Sequence, residues 1–213
     1  MYKHFIKRLL DLVLSIMGII VLCIPMLIIA VIIKIDSPGP VFFKQRRIGI
    51  HKKEFMIIKF RSMPTNVPHD TPTHQFKAED MLTKWQRLER RASLDELPQL
   101  FNIAVGQMSV IGPRPALWNQ YDLVAERDKY GANDVKPGLT GWAQINGRDE
   151  LEIPIKAKLD GEYVERMSLA FDCKCFFGTI KSVLKHDGVV EGGTGVIQEK
   201  NKVNTLNDNQ SST

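Results

Sequence analysis

Cysteine is scarce in this 213-residue chain, and the three present, Cys23, Cys173 and Cys175, form no framework. Cys173 and Cys175 stand one residue apart, too close for the paired-cysteine zinc motifs, and no second pair exists. A disulfide scaffold and a zinc ribbon are excluded, so the thiols read as structural cysteines of a reducing compartment. The standard phosphate cradles are missing too: there is no Walker A loop and no G-x-G-x-x-G. His69, Asp70 and His74 follow no metal-ligand spacing, and no internal repeat is present. Acidic residues are outnumbered, 24 against 29 Lys and Arg, for a formal charge of +5. That excess suits an anionic membrane surface or a phosphorylated substrate and does not choose between them.

Apolar residues make up 44% of the chain and are unevenly spread. Leu12 to Ile33, "LVLSIMGIIVLCIPMLIIAVII", carries no charge, and about twenty such residues reach through a bilayer core. The run is too long for a signal-peptide core, and Ser37-Pro38-Gly39-Pro40 follows it in place of a small-residue cleavage site. Lys3, Lys7 and Arg8 precede it; Lys34, Lys44, Arg46, Arg47, Lys52 and Lys53 follow it. Basic residues at both ends place both ends in the cytoplasm, which one straight span cannot satisfy. A helix broken at Ile24-Pro25 can, because proline removes a donor and clashes with the preceding turn. A plain anchor is the alternative. Asp11 lies one turn inside the run, where Lys7 and Arg8 can pair with it along the helix. Such a cluster is a structural anchor first, and a contact for lipid phosphate second. A nucleic-acid partner would explain the charge but not this segment, so none is expected.

After Pro40 two β-rich runs, Val41–Arg47 and Glu54–Ser62, flank a "GIHKK" turn. Residues 64–75 form a loop, and a helix is expected from Phe76 to Arg90, with Leu82, Trp85 and Leu88 on its apolar side. "RRASLDELPQLFN" then sets two carboxylates, Asp95 and Glu96, side by side. Ser93 with Glu96 three residues on fits a capping box, and Asp95 would face the positive end of the helix dipole. Pro98 inside the first turns is unusual for a purely structural helix, and Arg90 and Arg91 lie upstream. Carboxylates beside arginines stay ionised at neutral pH, as a nucleophile or metal ligand must. Both readings stand on spacing alone.

In "GQMSVIGPRPAL" the helix ends at Gly106, and Pro113 and Pro115 stiffen the backbone around Arg114. That stiffness lowers the entropy lost in a bidentate phosphate contact, although a surface turn would look the same. Leu117–Tyr130 reads as a helix. "VKPGLTGWAQINGR", Val135–Arg148, is an irregular loop whose glycines allow close approach of a nucleotide. Helices follow at about Ile153–Met167 and Phe171–His186. The second sets Phe176, Phe177, Ile180 and Val183 against Lys174, Lys181 and Lys185, which suits a membrane surface or ordinary core packing. The polar end from residue 191 reads as disordered.

Taken in order, "KRLLD", "SPGPVFFKQRRIG", "FMIIKFRSM", "RRASLDELPQLFN", "GQMSVIGPRP" and "KPGLTGWAQINGR" resemble the bacterial sugar transferase family, the small monotopic polyprenyl-phosphate phosphoglycosyl transferases. The resemblance covers roughly residues 5 to 190. It implies an α+β, mostly helical fold in three parts: a re-entrant membrane helix-break-helix over 1–36, a compact cytoplasmic catalytic domain over 37–190 with a small β-hairpin and membrane-surface amphipathic helices, and a polar tail over 191–213. Ile24-Pro25 stands where many members have Ser-Pro. The implied reaction passes a sugar 1-phosphate from a UDP-sugar, expected to be N-acetylated, to undecaprenyl phosphate at the cytoplasmic face of the bacterial inner membrane, releasing UMP. Asp95 matches the family's nucleophile, giving an aspartyl phospho-sugar, and Glu96, with Asp95, a ligand of Mg²⁺. Arg114, Arg90, Lys59 and Arg61 match phosphate-contacting positions. Thr140, Gln144 and Arg148 match the loop that contacts nucleotide, and Lys7, Arg8, Asp11 and Pro25 the membrane anchor and its break. The product would begin a surface polysaccharide or glycoconjugate; a homodimer is left open. A membrane-anchored Mg²⁺-dependent phosphohydrolase, or direct transfer without a covalent intermediate, would use the same residues.

Overall fold

The computed structural model describes residues 2–64, 82–147 and 151–185. Nearly all of the expected loop at 64–75 with His69, Asp70 and His74, the first turns of the helix expected from Phe76, Arg148, and the tail lie outside the described residues.

A π-helical turn, Tyr2–Ile6, leads into α1, Lys7–Asp36, 30 residues long and about 45 Å at 1.5 Å per residue. By length and composition it is apolar enough to cross a membrane. The two separate arms expected around Pro25 are joined: the helix continues through the proline, whose ring lies on the exposed face. Proline deletes one donor only. Leu22 and Met26 on either side are held in one apolar cluster with Phe60, Trp85 and Leu94, so the flanking turns keep their register.

One stripe of α1 is buried along its whole length, through Lys7, Asp11, Ser15, Met26, Ile29 and Ile33, with Ile19 and Leu22 packed between them. The spacing of three and four is that of a helix face. The opposite face, including Met17, Val21, Ile24 and Leu27, is exposed and apolar. Lys7, Arg8 and Asp11 do not pair with one another as expected. Lys7 donates to Asp172 at 2.7 Å, Arg8 donates to Ile103 O and Ala104 O at 2.7 Å each, and Asp11 accepts from Ser109 Oγ and Val110 N at 2.9 Å. The reason is burial: the polar groups that face this stripe, Asp172, Ser109 and the backbone at residues 103, 104 and 110, need partners away from water.

Strand β1, Phe42–Ile48, pairs antiparallel with β2, Glu54–Phe60, as expected, with Gln45 opposite Ile57. The expected helix before the carboxylates is α2, Lys84–Arg91; its Thr83 and Gln86 form the only complete capping box among the described residues. A 3₁₀ turn, Leu94–Glu96, precedes α3, Gln99–Ala104. Asn102 of α3 ties it to β2, accepting from Ile58 N at 3.0 Å and donating to Met56 O at 2.8 Å.

A second sheet was not legible in the sequence. Strand β3, Ser109–Ile111, pairs in parallel with β4, Gly138–Thr140. A Cβ on Gly138 would stand 2.1 Å from Gly112 N, so only glycine lets these backbones meet. Between them lies α4, Tyr121–Asp128, shorter than the expected Leu117–Tyr130. The chain then runs through α5, Trp142–Ile145, α6, Ile153–Arg166, and α7, Leu169–Lys185. On α7 Phe171 and Cys175 are buried, while Phe176, Phe177 and Ile180 are exposed. The helix therefore serves the core with one face and leaves an apolar face outside. Asp172 anchors it, receiving Lys7, the Tyr2 hydroxyl and the Tyr163 hydroxyl. All three thiols are free, and burial pushes the Cys175 thiol up to about 11.

Candidate active site

Three segments distant in sequence converge on Glu96. Residues 57 and 59 share one face of β2, since side chains alternate along a strand. Ile57 packs on Leu100 and Ile103 of α3, so Lys59 is aimed at the turn just before that helix. There the chain makes a sharp corner. Ser93 adopts the left-handed conformation, φ 54°, and makes no side-chain cap bond, so the expected Ser93–Glu96 capping box is not formed. A non-glycine residue there is strained by about 1–3 kcal/mol and persists only where packing insists. Here Leu94 and Leu97 are wedged against α1 in the cluster of Met26, Ile29 and Phe60. Pro98 ends the 3₁₀ turn and stands at the N-cap of α3.

The Glu96 side chain, released from capping, is buried and receives two cations. Lys59 Nζ donates to Oε1 at 2.8 Å; Arg114 Nη2 donates to the same oxygen at 2.8 Å and Nη1 to Oε2 at 3.4 Å. Burial opposes ionisation, but Arg114 and Lys59 outweigh it and hold the Glu96 carboxyl well below its usual range. Asp95 is shifted the opposite way. Burial raises its pKa, the Glu96 charge adds to the rise, and Lys59, Arg90 and Arg114 offset only part. Its one hydrogen-bond partner among the described residues is Ser62 Oγ, at a long 3.5 Å. Adjacent residues thus carry an ionised, twice-paired carboxylate and a carboxyl whose burial outweighs the three cations around it.

Arg114 is presented by a loop fastened on both sides. Pro113 O accepts from Gly138 N at 2.8 Å, and Pro115 O accepts from Arg47 Nη1 at 3.0 Å. The stiff loop expected from two prolines is therefore clamped as well.

The remaining sequence candidates divide. Arg90 contributes positive charge at Asp95. Arg61, expected at a phosphate, is buried and donates to Pro38 O, Ser37 O and Ser37 Oγ at 2.7–2.8 Å. It caps the C-terminal end of α1, where unsatisfied carbonyls attract a cation. Thr140 meets Thr179 of α7 at 2.7 Å. Gln144 is buried with neither amide atom bonded, and Arg148 lies outside the described residues. Glu89 escaped sequence reasoning altogether: it is fully buried, both carboxyl oxygens lack partners, and its pKa is pushed up to about 8. The signal for it was a single acid on the inner face of α2, spaced four residues after Trp85.

No three Asp, Glu, His or Cys side chains converge as a closed metal cage among the described residues. Asp95 and Glu96 still fit Mg²⁺, which takes one or two carboxylates and fills its shell with water and substrate phosphates. Asp95, with its long contact to Ser62, and Glu96 Oε2, with its long contact to Arg114, are the oxygens that would hold it.

The family model for bacterial sugar transferases matches residues 2–186. The chain is 39% identical over 184 residues to the uncharacterized sugar transferase EpsL of Bacillus subtilis, covering 86% of this chain and 90% of EpsL. It is 41% identical over 186 residues to the UDP-glucose:undecaprenyl-phosphate glucose-1-phosphate transferase of Xanthomonas campestris pv. campestris, covering 84% of this chain and 38% of that protein. Against the UDP-N-acetylgalactosamine-undecaprenyl-phosphate N-acetylgalactosaminephosphotransferase of Aeromonas hydrophila the identity is 37% over 186 residues, covering 84% and 44%. The chain thus spans nearly all of EpsL and less than half of the other two. A match running from the start of α1 to the end of α7, with the carboxylate pair and the prolyl arginine inside it, leaves one assignment: the chain belongs to the bacterial sugar transferase family and is an enzyme of the transferase class.

Proposed function

We propose that this chain transfers a sugar 1-phosphate from a UDP-sugar to undecaprenyl phosphate through a covalent intermediate on Asp95. The named reactions of its relatives support the substrates; they include both a glucose and an N-acetylgalactosamine donor, so the expected N-acetyl group is left to the experiment below. The observation that carries the chemistry is the opposed electrostatics of Asp95 and Glu96.

In the first half-reaction an Asp95 carboxylate oxygen attacks the sugar-linked phosphorus. The bond from that phosphorus to the bridging oxygen breaks, and UMP leaves with the electron pair. Lys59 and Arg114, already aimed at this turn, are placed to receive the donor's phosphate oxygens. Arg90 supplies further positive charge that favours ionised Asp95. Mg²⁺ held by Asp95 and Glu96 would supply neutralisation of the diphosphate charge. In the second half-reaction an oxygen of the lipid phosphate attacks the same phosphorus, and the Asp95 carboxylate is the leaving group. Splitting the transfer lets a water-soluble donor and a lipid acceptor use one site in turn.

The membrane placement follows from α1. Its inner stripe is fastened to the catalytic body from Lys7 to Ile33. A helix crossing the bilayer would draw that polar body into hydrocarbon, where unpaired polar groups are costly. With basic residues at both ends, a shallow re-entrant placement, both ends cytoplasmic, satisfies body and charges together.

The test is to incubate detergent-solubilised protein with Mg²⁺ and labelled UDP-sugars, omitting polyprenyl phosphate. Label on Asp95, discharged by undecaprenyl phosphate and absent in Asp95→Asn, is the expected result and names the sugar. Lipid-linked product without protein label replaces the covalent route with direct transfer. Free sugar phosphate formed without lipid makes the enzyme a phosphohydrolase.

A further inference from the structure

We propose that Arg8 and Lys136 form a binding site for the headgroup phosphate of an anionic phospholipid, apart from the catalytic pair. The inference rests on the membrane placement of α1 proposed above. Two cations converge over Gly106, in the turn after α3: a Cβ on that glycine would lie 3.2 Å from Arg8 Nη2 and 3.5 Å from Lys136 Nζ. Arg8 is held in place by Ile103 O and Ala104 O, one bond to each Nη. Each Nη keeps a second N–H for a ligand. Lys136 has no hydrogen-bond or ion-pair partner among the described residues. Asp11, the acid that acts on Lys136, has its Oδ1 engaged by Ser109 and Val110. Burial and the Arg8 charge depress the Lys136 pKa, and Asp11 offsets this only in part. Two adjacent, partly desolvated cations with no ion pair among the described residues are a standing cost that an anion removes.

The surroundings say which anion. Phe5 and Leu9 beside Arg8, Phe101 on α3 and Val105 just after it are exposed apolar side chains; Val105 is 71% exposed. The uncharged run of α1 begins at Leu12, one turn beyond Arg8. A phosphate seated between Arg8 and Lys136 therefore lies at the boundary between charge and hydrocarbon, the depth of a phospholipid headgroup. The cations that contact Glu96 are Lys59 and Arg114, whereas Arg8 is bonded to Ile103 O and Ala104 O.

Thermal unfolding of the full chain in neutral detergent tests this with three probes: dioctanoyl phosphatidylglycerol, dioctanoyl phosphatidylcholine and inorganic phosphate. Phosphatidylglycerol is expected to raise the midpoint by about 2–4 °C at saturation, and the other two not. Lys136→Gln should abolish the shift and Lys136→Arg retain it. Lys52→Gln, at a lysine paired with Asp128 on the exposed hairpin turn, should also retain it. Equal shifts with phosphatidylcholine or with inorganic phosphate, or an undiminished shift in Lys136→Gln, overturn the site. Resistance to alkaline extraction from membranes tests the placement of α1 separately. A chain that resists extraction yet shows no phosphatidylglycerol shift sinks the lipid site alone.

Discussion

Lys59 and Arg114 donate to the same oxygen of Glu96, each across 2.8 Å. One comes from the β-hairpin and the other from the clamped prolyl loop, so this oxygen joins two halves of the catalytic body. It also keeps two cations beside Asp95, where the donor's phosphates are proposed to arrive.

Replacing Arg114 by Lys keeps the charge and loses the planar fork. Charge-assisted hydrogen bonds are worth about 1.5–3 kcal/mol, so kcat/KM for sugar-phosphate transfer should fall about 10–100-fold with the fold intact. Combined with Glu96→Gln the losses should be less than additive, because both changes act on one contact. Strict additivity in a lipid-product assay would separate the two residues.

Glu89→Gln should change how stability depends on pH. Burial, then Asp95 and Asp36, raise the Glu89 pKa from an ordinary 4.5 to about 8, against the pull of Arg61. The folded value exceeds the unfolded one, so the contribution is complete below about pH 4.5 and is lost as pH rises through about 8. Wild type should lose stability relative to Glu89→Gln on the alkaline side, on the order of a few kcal/mol. Superimposable melting profiles of the two proteins from pH 5 to 9 would refute a neutral Glu89.

Lys7→Met strands Asp172 in the core. The pair is nearly buried, with side-chain exposures of 11% and 10%, and breaking such a pair costs about 3–5 kcal/mol. Thermal unfolding in detergent should show the loss, with part of it recovered when Asp172→Asn is added. A double variant worse than Lys7→Met alone would contradict the pairing.

Two glycines should behave oppositely. Gly138→Ala drives a Cβ into the Gly112 backbone, displacing the loop that carries Arg114, and should leave protein with little transfer activity. Gly131 has φ +65° and open space around its missing Cβ, so Gly131→Ala should cost only the backbone strain of the left-handed region, about 1–2 kcal/mol. Activity and melting midpoint of the two variants, measured side by side, decide the point.

The carboxylate pair, Lys59 and the prolyl arginine stood out as candidates because each sits in a contiguous motif, and the structure brings Lys59 and Arg114 onto Glu96. The use of Glu96 could not. S-x-x-E predicts a capping box only if Ser93 has extended backbone, and its left-handed turn is imposed by Leu94 and Leu97 packing on α1. Arg61 failed for a related reason: a basic residue near the site looks like a phosphate ligand until the carbonyls at the end of α1 are placed beside it. The β3–β4 pairing has three residues per strand, too few for alternation to show. Lys7, Arg8 and Asp11 were recognisable as an anchor, but their partners lie about a hundred or more positions away, beyond any local pattern.

Because α1 shares its inner face with Phe60, Leu100 and Trp85, it is as much a structural beam as an attachment. Trimming the chain at Asp36 to make a water-soluble enzyme would remove one wall of the interior and uncover the rest. The same join denies the catalytic body any swing or reach on a tether. On the placement and chemistry proposed above, the distance from Asp95 to the bilayer is a fixed dimension of the molecule, and a lipid acceptor must come to it by moving sideways.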